Sequence, residues 1–91
     1  MRRAAKTDAT QAPIVAALRL IGAKVYYIKE PVDLLVGFRK RNILMEVKNG
    51  DGKDALTKAQ VEFIATWPGE LHVVRNVNEA LVAVLGKDAM A

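Results

Sequence analysis

Asp33, Glu46 and Lys48 are three charged residues set into otherwise apolar runs. Glu46 and Lys48 are two positions apart, so on a strand they share a face. Twelve residues separate Asp33 from Glu46, and the polar stretch Arg39-Lys40-Arg41-Asn42 divides the interval. That pattern predicts a β-hairpin. In an unbulged hairpin, directly opposite residues share a face, and the turn decides which residues are opposite. A two-residue turn at Arg39-Lys40 sets Asp33 across from Glu46, and one at Lys40-Arg41 sets it across from Lys48. Either even loop gathers all three charges on one face. An odd loop separates Asp33 from the other two unless a bulge corrects it.

Two carboxylates brought close repel, and burial disfavours their charge further. A hard divalent cation resolves both problems, because Mg²⁺ takes oxygen ligands, often one or two carboxylates completed by waters and a substrate phosphate. Mn²⁺ suits the same ligands. A lysine beside such an ion holds a phosphate oxygen or orients the attacking water, which is equipment for metal-assisted phosphodiester hydrolysis. The other reading is an ordinary salt-bridged patch at the rim of a sheet, worth little to stability.

The flanking elements must position these residues. Residues 1–7, with Arg2, Arg3 and Lys6, read as a loose basic tail. A first helix follows to Ile21, with an apolar stripe at Ile14, Leu18 and Ile21 and Gly22 as its terminator. Thr10 as N-cap keeps Pro13 in the first turn, whereas a start at Asp8 sets the proline against the carbonyl of Ala9. Ala23 to Lys29 predicts a strand, interrupted by Glu30-Pro31. Asp33 to Phe38 is the first hairpin strand, and the continuous run Leu34-Leu35-Val36 predicts burial on both faces. Ile43 to Lys48 alternates and is the second. After the glycine-containing loop Asn49–Ala55, Thr57 and Gln60 form a capping box. Leu56 and Val61 stand at staple positions, and Val61, Ile64 and Ala65 are read as facing inward. Pro68-Gly69 stops this helix, and Leu71 to Arg75 is a fourth strand. Asn76 and Glu79 cap a last helix that ends at Gly86, and residues 87–91 read as frayed. The order is αβββαβα, one α/β domain over residues 1–91. Its sheet is mixed and four-stranded, flanked by helices, and the last strand is parallel because a helix crosses over to it.

The apolar fraction of 52% supports a core, and the chain has no cysteine, which excludes disulfides and thiolate metal sites. No apolar run reaches membrane length, and the basic start leads into a polar segment rather than a signal peptide. The expectation is a soluble, cytoplasmic protein. A net charge of +4 and a pI near 9.6 lean toward a polyanionic partner.

The spacing of Asp33 to Glu46-Val47-Lys48 resembles the PD-(D/E)xK nuclease signature. The order L-R-L-I-G-A-K-V, D-L-L-V-G, E-V-K-N-G, L-T-K-A-Q, W-P-G and V-V-R, over residues 8 to 86, is similar to the small stand-alone VRR-NUC type, often encoded by phages or prophages. The resemblance implies a restriction-endonuclease-like core and a Mg²⁺-dependent DNA endonuclease, bacterial or phage-encoded. It makes Asp33 and Glu46 metal ligands, the main-chain carbonyl of Val47 a third, and Lys48 the catalytic lysine. Gln60 matches a glutamine that approaches the active site in that family, and the capping box is an equal account of it. Val32 departs from the motif, standing where proline precedes the aspartate. The first helix offers no acidic residue between Thr10 and Gly22, the stretch from which many superfamily members take a further ligand; Asp8 lies at its edge.

Among the remaining charges, Arg2, Arg3, Lys6, Arg39, Lys40, Arg41, Lys53, Lys58 and Arg75 are candidates for phosphate contacts. Tyr26 and Trp67 are candidates for stacking on bases, with packing the better account of Trp67. His72, the single histidine, reads as structural, and Asp51 and Asp54 as loop charges. So short a chain covers little of a duplex, which predicts a homodimer or higher oligomer with one site per subunit, suited to branched DNA.

Overall fold

The computed structural model describes residues 2–49 and 55–86, with side chains from Ala9 onward. Seven elements follow in order: α1 (Arg2–Leu20), β1 (Lys24–Tyr27), β2 (Leu34–Phe38), β3 (Arg41–Val47), α2 (Lys58–Thr66), β4 (Glu70–Val74) and α3 (Val77–Leu85). The strands make one sheet in the order β1-β2-β3-β4, antiparallel for the first two pairings and parallel for the last. This is the mixed four-stranded α/β arrangement read from the pattern of elements.

Helix α1 departs from the expectation at its start. It runs from Arg2, so the stretch read as a loose tail over residues 1–7 is helical from its second residue. Ala4, Ala5 and Lys6 are strong helix formers, and they carry the helix past Thr10. Pro13 therefore lies inside it. Both Pro13 and Ala9 are exposed, so the carbonyl that the proline leaves without a donor faces water. The C-terminus is a Schellman motif: Gly22 takes φ 98°, its N–H donates to the Arg19 carbonyl at 3.1 Å, and the Ala23 N–H donates to the Leu18 carbonyl at 3.0 Å.

The hairpin turn decides the register. Phe38 pairs with Arg41, and Arg39 and Lys40 between them take φ 51° and 68°. Positive φ at both central residues marks a type I′ turn, whose twist matches that of the flanking strands. Leu34 pairs with Met45 at the other end, so the next position along brings Asp33 across from Glu46. This is the first of the two even registers.

The core lies on one face of the sheet. Leu34, Val36, Phe38, Ile43, Met45 and Val47 are buried there under α1 (Ile14, Val15, Leu18) and α3 (Ala80, Val84). Strand β2 alternates between buried and half-buried residues, so Leu34-Leu35-Val36 is not covered on both sides as expected; Leu35 belongs to the opposite face. That second face carries Tyr26, Leu35, Leu44 and Leu71 in one row across the four strands, with Asp33, Glu46 and Val73 in the next. Helix α2 belongs to this side and has no fully buried residue. Val61 and Ala65, expected inward, are exposed, because the helix meets the sheet through its polar N-terminus rather than an apolar stripe. No helix among the described residues is long and apolar enough to cross a membrane.

Candidate active site

Asp33 sits just past the paired end of β2, where the two residues that follow β1 fix its backbone. Its carbonyl accepts the N–H of Ile28 at 2.9 Å and of Lys29 at 3.4 Å, with Lys29 at φ 69°. Its carboxylate Oδ2 accepts the N–H of Val47 at 2.8 Å. The N–H and carbonyl of one strand residue leave the same edge of the strand, so the Val47 carbonyl also leaves β3 on the Asp33 side. By the alternation of the ladder, Asp33 and Glu46 form a non-hydrogen-bonded pair, the closer of the two kinds.

Glu46 is 2% exposed and Lys48 7%. The Lys48 Nζ lies 3.3 Å from Glu46 Oε2, and the Gln60 Nε2 donates to that same oxygen at 2.7 Å. The other carboxylate oxygen, Glu46 Oε1, is buried with no hydrogen-bond partner. Burial pushes the Glu46 carboxyl above the usual carboxylate range, repulsion from Asp33 adds to the rise, and Lys48 offsets part of it. A buried acceptor left unsatisfied costs about 1–3 kcal/mol, a cost that a cation bound there would relieve. Asp33, Glu46 and the Val47 carbonyl are all hard oxygen donors, the set that Mg²⁺ and Mn²⁺ take. No group of three or more His, Cys, Asp and Glu side chains assembles among the described residues.

The two readings of Gln60 turn out to describe one side chain. Its Oε1 accepts the Thr57 N–H at 3.0 Å while its own N–H donates to Thr57 Oγ1 at 3.1 Å, a complete capping box. Its Nε2 is thereby aimed at Glu46. Thr57, Gln60 and Glu46 form one chain of hydrogen bonds from the start of α2 to the buried carboxylate.

The site rim is held by residues to which the motif does not point. Thr10 Oγ1 donates to Asn49 Oδ1 at 2.9 Å, and Arg75 Nη1 donates to the Asn49 carbonyl at 3.2 Å. Together they pin the backbone that follows Lys48. Gln11, beside Thr10, is buried. A signal for it exists in the sequence: Gln11 stands at helical spacing from Ile14, Val15 and Leu18, a polar residue on the apolar stripe.

Other candidates lie elsewhere. Arg41 faces the core side, where its Nε and Nη2 meet Glu70 at 3.1 and 2.5 Å and its Nη1 and Nη2 donate to the Val84 and Ala83 carbonyls at 2.7 and 3.3 Å. It clamps the end of α3 to β4. His72 joins this cluster, its Nε2 3.2 Å from Glu70 Oε2. Arg39 and Lys40 are exposed at the hairpin turn, the far end from Asp33, with the Arg39 guanidinium 4.8 Å over the Phe38 ring. Lys58 is exposed on the first turn of α2. Trp67 stacks on Phe63 with centroids 5.2 Å apart. The Glu79 side chain accepts the Arg75 N–H at 2.7 Å, so α3 has the Asn76 cap without the reciprocal half of the predicted box. Lys53, Asp51, Asp54 and the side chains of Arg2, Arg3, Lys6 and Asp8 lie outside the described residues.

No known protein family, curated protein or solved structure matches the chain.

Proposed function

We propose that this chain is a divalent-metal-dependent DNA endonuclease with a restriction-endonuclease-like core of the PD-(D/E)xK type. The observation that carries the reading is the unpartnered Glu46 Oε1, buried beside a second carboxylate and two residues from a buried lysine. A rim salt bridge has no reason to bury an acceptor without a partner, whereas a cation site does.

In this reading Asp33 and Glu46 hold the ion, and the Val47 carbonyl completes the protein's share of the ligands. A Mg²⁺ or Mn²⁺ ion there supplies Lewis acidity toward the scissile phosphate and the water that attacks it. The Val47 N–H orients the Asp33 carboxylate, and Gln60 holds Glu46 by Oε2, which would leave Oε1 to a cation. The Lys48 ammonium donates to a non-bridging phosphate oxygen and stabilises the negative charge that develops as the bond breaks. Two copies with one site each would suit the two strands of branched DNA.

Cleavage of end-labelled branched and linear DNA in Mg²⁺ or Mn²⁺, compared between the wild type and Asp33→Ala and Lys48→Ala, tests the reading. Metal-dependent cutting by the wild type alone is the expected result. Binding without cutting of any substrate, together with no Mn²⁺ site dependent on Asp33 and Glu46, would overturn it in favour of a binding module.

A further inference from the structure

A cavity of about 570 Å³ runs along the open edge of β1, away from the carboxylates, lined by Arg19, Ala23, Lys24, Val25, Tyr26 and Tyr27. Its charged residues are both cations, and its two aromatic rings are 55% and 49% exposed, large apolar surface for a domain of this size. The Arg19 Nη2 donates to the Val25 carbonyl at 2.9 Å, which fixes the guanidinium at the sheet edge.

The position of this groove relative to the candidate active site follows from the register. Ile28 stands across from Asp33, to whose carbonyl its N–H donates. Tyr26 is two residues earlier on the same strand, so its side chain shares the sheet face of Asp33, Glu46 and Lys48 and is displaced by one pleat repeat, about 7 Å. Lys24 shares that face one repeat further on. A strand whose scissile phosphate lies at the carboxylates, the location that rests on the nuclease reading, therefore passes over Tyr26 and then over Lys24, with Arg19 beside them at the sheet edge.

We infer that the β1-edge groove takes an unpaired nucleotide of single-stranded DNA adjoining the scissile phosphate, its base stacked on Tyr26 and its phosphate held by Lys24 and Arg19. Charge complementarity favours a polyanion, and two half-exposed rings beside two cations are what single-strand binding sites combine. A base inside a duplex is already stacked on its neighbours and offers no free face, so the groove selects unpaired DNA. The volume falls in the range of small-molecule sites.

Fluorescence anisotropy of a labelled oligothymidylate and a matched duplex, measured in EDTA, separates this inference from the question of cleavage. Tyr26→Ala is expected to weaken single-strand binding by about 5- to 150-fold, the loss of one stacked base. Tyr26→Phe keeps wild-type affinity, and Lys24→Ala and Arg19→Ala each reduce the salt slope by about 0.7. Duplex affinity is unchanged by Tyr26→Ala. The inference is overturned if the wild type does not bind the oligothymidylate, if Tyr26→Ala binds it as tightly as the wild type does, or if Tyr26→Ala instead converts a sedimenting dimer to a 10.0 kDa monomer, which would give the groove to a second copy. Tyr26-dependent binding without cleavage of any DNA retires the nuclease reading alone. Cleavage indifferent to Tyr26, with unchanged single-strand affinity, retires the groove alone.

Discussion

The Gln60 amide joins Glu46 to the first turn of α2: Nε2 donates to Glu46 Oε2 at 2.7 Å while Oε1 accepts the Thr57 N–H at 3.0 Å. A cap and a site contact thus share one side chain, and the two contributions separate by mutation. Thr57→Ala removes one cap bond, from the Gln60 N–H to Oγ1, and is expected to cost about 1 kcal/mol. Gln60→Ala removes the other cap bond, strips a donor from a buried carboxylate as well, and costs about 1–2 kcal/mol more. That extra loss shrinks in a Glu46→Gln background. Urea melts of the four variants check the cycle; equal losses for Thr57→Ala and Gln60→Ala would mean that the contact with Glu46 contributes nothing.

Glu46 makes the metal-free protein sensitive to alkali. Its folded-state pKa is raised, chiefly by burial and then by Asp33, so the native state binds a proton more readily than the unfolded chain does. Stability therefore rises as pH falls through the raised folded value toward that of an ordinary carboxylate, and is lost as pH climbs back. Thermal melts in EDTA between pH 8 and pH 5 should show this, and Glu46→Gln should flatten it while stabilising the protein by about 1–2 kcal/mol at pH 8. If the proposed metal site is real, Mn²⁺ should act in the opposite sense because it needs the ionised carboxylate: its stabilisation should be largest at pH 8, about 2.7 kcal/mol at a hundred times Kd, and should disappear in Asp33→Asn and Glu46→Gln.

The type I′ turn is built from two residues with side chains at positive φ, a backbone that favours Asn-Gly. Replacing Arg39-Lys40 by Asn-Gly should relieve strain of about 1–2 kcal/mol per residue in the left-handed region. Loss of the Arg39 contact with Phe38 offsets about 0.5–1 kcal/mol. A net gain of about 1–3 kcal/mol, read by denaturant melts, is the expected outcome; a loss would show that the arginine and lysine serve the turn.

Arg41 bridges three elements, and Arg41→Ala should destabilise the fold by about 1–2 kcal/mol through the C-terminus of α3 and the pairing with Glu70. The hydrogen bond from Arg41 holds the Glu70 carboxyl below the usual range. This part of the stability is present above the ordinary glutamate pKa and fades as pH falls through the depressed folded value. Acid melts of Arg41→Ala should lack that component, and Arg41→Lys, unable to form the fork, should recover only part of the neutral-pH stability.

Much of this was legible in the residues themselves. The elements from β1 onward and the parallel fourth strand follow from alternation and capping residues, and hairpin arithmetic makes the meeting of Asp33, Glu46 and Lys48 depend on an even loop, which the structure has. The choice between the two even registers does not, because Arg39 and Lys40 lack the Asn-Gly signature and their positive φ values are imposed by the flanking strands. The start of α1 was hidden by Pro13, whose local penalty is small where its turn faces water. Arg41 was misleading for another reason. It reads as part of a basic turn, but it opens β3, and the partners that claim its fork come from β4 and α3, far along the chain. Gln60 resisted a single role because both of its roles are real contacts.

The one-sided core carries an implication for how such a protein can diversify. Its large, fully buried side chains serve the α1 and α3 side, whereas α2 and the face bearing Glu46 contribute no fully buried helix residue. Changes at exposed positions of α2 such as Val61 and Ala65, or along Tyr26 and Leu35, thus trade off little against folding. In the proposed nuclease, substrate preference would be free to drift there, or to be grafted there by design, on a scaffold whose foundation is elsewhere.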